Sequence, residues 1–149
     1  MMRAAAEAAR TEAERLGSVR PLVLGVTVLT SISSAALHEE LGVLAELEAQ
    51  VLHLANAAVE SGLDGIICSP NEAAALRKSL PRDVLIVTPG VRPRWSVKND
   101  QERVTTPGAA VRAGADALVI GRPITNPPNS VGGSLEAVSL ISDEIAAAI

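Results

Sequence analysis

The chain has 149 residues, enough for one ordinary domain with a sizeable core, and a net charge of -4 with 13 Lys+Arg. That balance excludes the broad basic field of a non-specific nucleic-acid binder. With one Trp and no Phe or Tyr, there are also no aromatic platforms for stacking bases. The single cysteine, Cys68, excludes an intrachain disulfide, and no apolar run approaches the roughly 20 residues of a membrane span, so a soluble, cytoplasmic protein is expected.

Residues 2–16 are rich in Ala, Glu and Arg and stop at Gly17, so the chain opens on a helix. Pro21 to Thr30 is a nearly continuous apolar run, the pattern of a strand buried on both faces. A long helical region follows, with Leu44, Leu47, Val51, Leu54, Ala55 and Ala58 spaced three and four apart and Ser61-Gly62 as its stop. Gly65 to Ser69 is the second strand, and Ser69 or Asn71 is placed to cap the helix that runs to about Leu80. Val84 to Thr88 is the third strand. A polar loop of about 15 residues, Val91 to Thr105, comes next and is long enough to suggest function. Thr106 and Pro107 supply the cap and first position of another helix. Ala117 to Gly121 is the fourth strand, and Ser134 begins the closing helix to Ile149.

Strands that read as unbroken apolar runs and alternate with helices predict an α/β fold with a parallel sheet and helical crossovers. Two of the strands are preceded by a similar beat, Ser61-Gly62-Leu63-Asp64 and Ala113-Gly114-Ala115-Asp116. This is the pattern of a (β/α) barrel, yet it supplies four strands where a barrel needs eight. The expectation is a single partial-barrel domain over residues 1–149.

In such barrels, ligands meet the C-terminal ends of the strands. Here those ends carry Thr30-Ser31, Cys68-Ser69, Thr88-Pro89-Gly90 with Arg92, and Gly121-Arg122. Two successive strands finish with a glycine near an arginine. A glycine N–H can approach a phosphate oxygen closely, and a guanidinium adds a bidentate, charge-assisted pair. The loop between them holds Arg94, Lys98, Gln101 and Arg103, which suits closure over an anion. Bland roles compete at each position: Arg92 as a surface arginine, Arg122 paired with a carboxylate such as Glu102, and Thr30 as a helix cap. Cys68 reads as core packing, His38 and His53 as solvated or packed helical residues, Trp95 as a hydrophobic peg and Glu39-Glu40 as a solvated face.

Five motifs in order carry a resemblance: Val26-Thr27-Val28-Leu29-Thr30-Ser31; Gly62-Leu63-Asp64-Gly65 with Cys68-Ser69; Val87-Thr88-Pro89-Gly90-Val91-Arg92-Pro93; Asn99-Asp100-Gln101-Glu102-Arg103; and Ala113-Gly114-Ala115-Asp116 with Val119-Ile120-Gly121-Arg122-Pro123-Ile124-Thr125. Together they resemble the C-terminal half of the bacterial orotidine 5'-phosphate decarboxylase family, which makes UMP from orotidine monophosphate. The resemblance implies half of a (β/α)8 TIM barrel, from helix 4 through helix 8 of the family fold, and no metal or organic cofactor. It implies a homodimer; for a chain that carries this half, the expected partner is a second copy or a complementary half-barrel chain. It assigns Thr30 to the pyrimidine edge, Arg92 to the phosphate, Gln101 to the closing loop between phosphate and base, and the Gly121 N–H and Arg122 guanidinium to the phosphate. The family's catalytic Lys and Asp-x-Lys-x-x-Asp array has no counterpart: no Asp is followed two residues later by Lys, and the two lysines are Lys78 and Lys98. The expected chain therefore binds phosphate and pyrimidine without the acid and base of the reaction.

Overall fold

The computed structural model describes residues 1–96 and 105–149. Helix α1 (Met2–Leu16) ends at Gly17 in the left-handed conformation, which only glycine adopts at little cost. Strand β1 (Leu24–Val26) is followed by a short helix, α2 (Ser34–Glu39), and by α3 (Leu47–Glu60). Strand β2 (Gly65–Ile67), helix α4 (Ala73–Ser79), strand β3 (Leu85–Pro89), helix α5 (Pro107–Arg112) and strand β4 (Ala117–Val119) come next. A helical turn α6 (Arg122–Thr125), a 3-10 turn (Asn129–Val131) and helix α7 (Ser134–Ala146) close the chain.

The four strands form one parallel sheet in the order β1-β2-β3-β4. Gly25, Ile66 and Ile86 lie in register across β1, β2 and β3. A Cβ on Gly25 would stand 3.0 Å from Ala58, so this register row faces α3. Ile66 and Ile86 on it are fully buried among Val51, Ala55 and Ala58 of α3 and Ala73 and Leu76 of α4. Each large aliphatic side chain so buried contributes roughly 1.5–3 kcal/mol. Because side chains alternate along a strand, Leu24, Val26, Ile67, Leu85, Val87, Ala117 and Val119 belong to the other face.

The repeated glycine-to-aspartate beat has a physical cause. Gly62 and Gly114 each carry a positive φ just after a helix, which turns the chain back toward the sheet. The aspartate two residues later then ties the foot of the preceding strand. Asp64 Oδ2 accepts from the Val23 N–H at 2.7 Å and from Arg20 Nη1 at 2.9 Å. Asp116 Oδ2 accepts from the Ile86 N–H at 2.7 Å and pairs with Arg77. Gly65 follows the first aspartate because a Cβ there would lie 2.5 Å from the Leu85 carbonyl oxygen.

Three local expectations are corrected. The expected long helical region is two helices: Ser33 caps α2 through its hydroxyl, and Leu44, which was to belong to the apolar stripe, is 92% exposed before α3. Neither Ser69 nor Asn71 is the N-cap of α4. Glu72 stands there, and its carboxylate reaches back to the Ser69 N–H at 3.0 Å. The fourth strand ends at Val119, and Gly121-Arg122 opens α6 because Pro123 suits the first turn of a helix. Thr106 and Pro107 do start α5, with the Thr106 hydroxyl accepting from the Ala109 N–H.

Candidate functional site

All four strands point the same way, so their C-terminal ends share one rim of the sheet. The last registered pair between β3 and β4 is Pro89 with Val119. Arg92 and Arg122 each lie three residues past it. The two guanidiniums that the sequence singles out thus leave neighbouring strands at equal chain distance. Arg122 is exposed at the start of α6, and among the described residues no carboxylate pairs with it. Arg92 is half-buried, and its backbone N–H donates to the Thr105 carbonyl at 3.0 Å, which draws the two ends of the long loop together. Gly121 is exposed, and a Cβ built there would meet nothing within 4 Å, so its backbone borders open space.

Thr30 is exposed, four residues past the Val26–Ile67 pair and on the same rim. Before it, the Thr27 N–H and hydroxyl both donate to the Ile67 carbonyl, each at 3.1 Å, and carry the pairing of β1 with β2 one residue beyond the strand. Gln101, with Glu102 and Arg103, lies outside the described residues. Trp95 is half-buried at the start of that loop.

A chain of polar contacts that sequence reasoning missed runs along the same rim. Thr105 Oγ1 donates to Asn71 Oδ1 at 3.2 Å, the Asn71 N–H donates to Ser69 Oγ at 3.3 Å, and the Ser69 N–H donates to Glu72. The sequence signal is the Ser-Pro-Asn-Glu run after β2, in which Ser69 and Asn71 read as possible caps and Ser69 also as part of a strand end. Burial raises the Glu72 carboxyl above its ordinary value, partly opposed by the Ser69 N–H, and nearby Glu48 adds to the rise.

The other singled-out residues take structural places. Cys68 is buried, and burial pushes its thiol up to about 12, which suits packing and not nucleophilic work. His38 contacts the Ala45 carbonyl at 3.0 Å, and His53 is exposed on α3. Among the described residues no group of three or more His, Cys, Asp or Glu is arranged to hold a metal, and no helix is long and apolar enough to cross a membrane.

The fold is one that known proteins share. The family model for orotidine 5'-phosphate decarboxylase / HUMPS matches residues 1–135. An orotidine 5'-phosphate decarboxylase of Syntrophomonas wolfei is 46% identical over 144 residues, covering 96% of this chain and 60% of its own length. The enzyme of that name from Opitutus terrae is 52% identical over 134 residues, covering 90% of this chain and 56% of its own. The crystal structure of orotidine 5'-phosphate decarboxylase from Lactobacillus acidophilus superposes with a TM-score of 0.70 at 39% identity, covering 87% of this chain and 51% of that one. A crystal structure of an uncharacterized conserved protein from Geobacillus kaustophilus does so at 0.76 and 34%, covering 97% and 58%. The chain spans little more than half the length of these relatives, and its four-stranded sheet is half of an α/β barrel. The chain belongs to the orotidine 5'-phosphate decarboxylase / HUMPS family.

Proposed function

We propose that this chain is the phosphate- and pyrimidine-binding half of an orotidine 5'-phosphate decarboxylase, acting on orotidine monophosphate or its product UMP. The observation that carries the reading is the pair of arginines, Arg92 and Arg122, at equal distance past the Pro89–Val119 pair on neighbouring parallel strands. An open backbone at Gly121 stands beside the second. Two guanidiniums and a glycine N–H are the donor set that a phosphate dianion needs, since each charge-assisted bond is about twice as strong as a neutral one. In this reading Arg92, Arg122 and the Gly121 N–H hold the phosphate, Gln101 bridges phosphate and base, and Thr30 meets the pyrimidine edge.

The loss of CO2 leaves a carbanion that must gain a proton, and among the described residues no suitable acid stands at the rim. Lys78 is exposed on α4, and the only other lysine is Lys98. The sheet face opposite the helices presents aliphatic side chains from all four strands and no charge. The acid and base therefore come from a complementary half-barrel, and the chain alone binds without turnover. Phosphate recognition needs no metal in this scheme, and the reaction needs no organic cofactor.

The test combines UMP binding by calorimetry with loss of orotidine monophosphate absorbance, on the purified chain. Binding that weakens on the order of 30-fold in Arg122→Ala, with no decarboxylation, is the expected result. Turnover by the chain alone would overturn the division of labour, and absence of UMP binding would overturn the phosphate site. A second reading, a half-barrel that binds a phosphorylated ligand without taking part in catalysis, rests on the same missing acid. It predicts binding that never becomes turnover, whatever chain is added.

A further inference from the structure

Arg92 owes its place to contacts made by its backbone and its neighbours. Gly90, with a positive φ of 76°, turns the chain out of β3. Val91 is then buried against Ala110 and Ala115, and Pro93 is fully buried. Between these two anchors the Arg92 N–H donates to the Thr105 carbonyl at 3.0 Å. Thr105 stands just before the Thr106 cap and the buried Pro107 of α5, so this bond ties the exit of β3 to the entry of α5.

The side chain of Thr105 is held from a third element. Its hydroxyl donates to Asn71 Oδ1 at 3.2 Å, across 34 residues of sequence. Asn71 belongs to the turn between β2 and α4, and that turn is closed on itself. The Ser69 N–H donates to the Glu72 carboxylate and the Glu72 N–H to the Ser69 carbonyl, each at 3.0 Å. Pro70 within it is buried, and Ala73 behind it is fully buried. The Asn71 N–H adds a bond to Ser69 Oγ at 3.3 Å. A side-chain oxygen on so stiff a turn is a fixed point, and an asparagine amide accepts from a hydroxyl without placing a negative charge beside an anion. An exposed hydrogen bond of this kind adds little to global stability, so its position and not its strength points to its use.

We infer that Asn71 is a positioning residue for the rim arginine: through Thr105 it fixes the backbone from which the Arg92 side chain leaves, and so strengthens phosphate binding without touching the ligand. Loss of the Asn71 acceptor frees the Thr105 side chain to turn to water, and the Thr105 carbonyl then holds the Arg92 N–H for a smaller share of the time. The guanidinium must then be ordered as the phosphate arrives, at a cost in affinity. The phosphate in this account rests on the proposed function; the link from Asn71 to the Arg92 N–H does not.

The test is amide hydrogen exchange by NMR on the full chain, together with UMP binding by calorimetry. In Asn71→Ala the Arg92 N–H should exchange about 5-fold faster, the contribution of one neutral hydrogen bond, and UMP should bind about 5-fold more weakly. The Ile86 N–H, held at the opposite rim by Asp116, should exchange as in the parent. Thr105→Val removes the donor and should reproduce both effects, whereas Thr105→Ser keeps the hydroxyl and should behave as the parent. Combining Asn71→Ala with Thr105→Val should add nothing further, since the two remove one bond. Unchanged Arg92 exchange in Asn71→Ala, additive losses in the combined variant, or faster exchange with UMP affinity intact would each overturn the inference. A parent that binds no UMP would remove the phosphate site alone, and exchange at Arg92 would still decide the Asn71 link.

Discussion

The two rims of the sheet use the same residue type for opposite ends. At the N-terminal rim, Arg77 is locked: its Nε donates to the Gly114 carbonyl at 3.2 Å, its Nη1 to the Val84 carbonyl at 3.0 Å, and its remaining nitrogen pairs with Asp116. Arg20 pairs with Asp64 in the same way beneath β1 and β2. At the C-terminal rim, Arg122 stands exposed beside open backbone. Arginines whose donors are already spent on carbonyls and carboxylates hold the fold together, and an arginine with donors to spare can hold a ligand. Barrels divide labour in this way, with stability at the bottom and chemistry at the top.

The comparison breaks most visibly at Asp64. Asp64→Ala leaves the Val23 N–H and the Arg20 guanidinium without their acceptor and should cost roughly 2–3 kcal/mol in urea unfolding. UMP affinity at the other rim should stay as it was. Arg20 holds the Asp64 carboxyl below its ordinary value, first through the side-chain hydrogen bond. A lowered folded-state value means that the stabilisation is complete above the unfolded value near pH 4 and is lost as pH falls through the folded one. The acid limb of the urea midpoint should therefore flatten in Asp64→Ala; an unchanged limb would assign acid lability to other groups.

The opposite variant, Arg122→Ala, should leave the urea midpoint within about 0.5 kcal/mol, as for a surface change away from special features. UMP binding should weaken by about 2 kcal/mol, on the order of 30-fold, for loss of a charged hydrogen-bond donor. If Arg122→Ala unfolds the protein instead, the two rims are not divided as argued.

Part of this division was legible in the sequence and part was not. Thr106-Pro107 and the four apolar runs could be read because they act within a few residues, through capping, fixed φ and burial. The positions of the rim arginines could be read because each follows the close of an apolar run within three residues of a strand's last registered pair. Arg77 could not. It sits on a helix, and its partners Gly114 and Asp116 lie 37 and 39 residues away, joined to it by packing alone. The beat before β2 and β4 was visible as a pattern, yet its purpose appears only when Asp64 and Asp116 reach the strand before their own. Leu44 was misplaced because spacing extends an apolar stripe without regard to where a turn interrupts the helix.

Between the rims lies Thr88, fully buried on β3 with a hydroxyl that has no hydrogen-bond partner among the described residues. Thr88→Val keeps the shape and removes the unsatisfied oxygen, so it should stabilise the fold by about 1 kcal/mol in urea or thermal unfolding. Destabilisation would mean that the hydroxyl is in use, and would place Thr88 with the top rim and not with the core.

The smallest expected effect is at Glu72, whose carboxylate serves the top rim as a local structural acceptor. Burial raises its carboxyl above the ordinary value. A raised folded-state value favours the protonated form, so Glu72's contribution is full below the unfolded value and is lost as pH rises through the folded one. Glu72→Gln keeps a carbonyl oxygen for the Ser69 N–H and removes the charge. The variant should therefore match the parent near pH 4 and exceed it at pH 7, by under about 1 kcal/mol because the group is only partly buried. A loss at pH 7 would show that the charged acceptor matters more to the Ser69–Glu72 turn than its desolvation does. The top rim would then depend on a fixed charge, as the bottom rim does at Asp64.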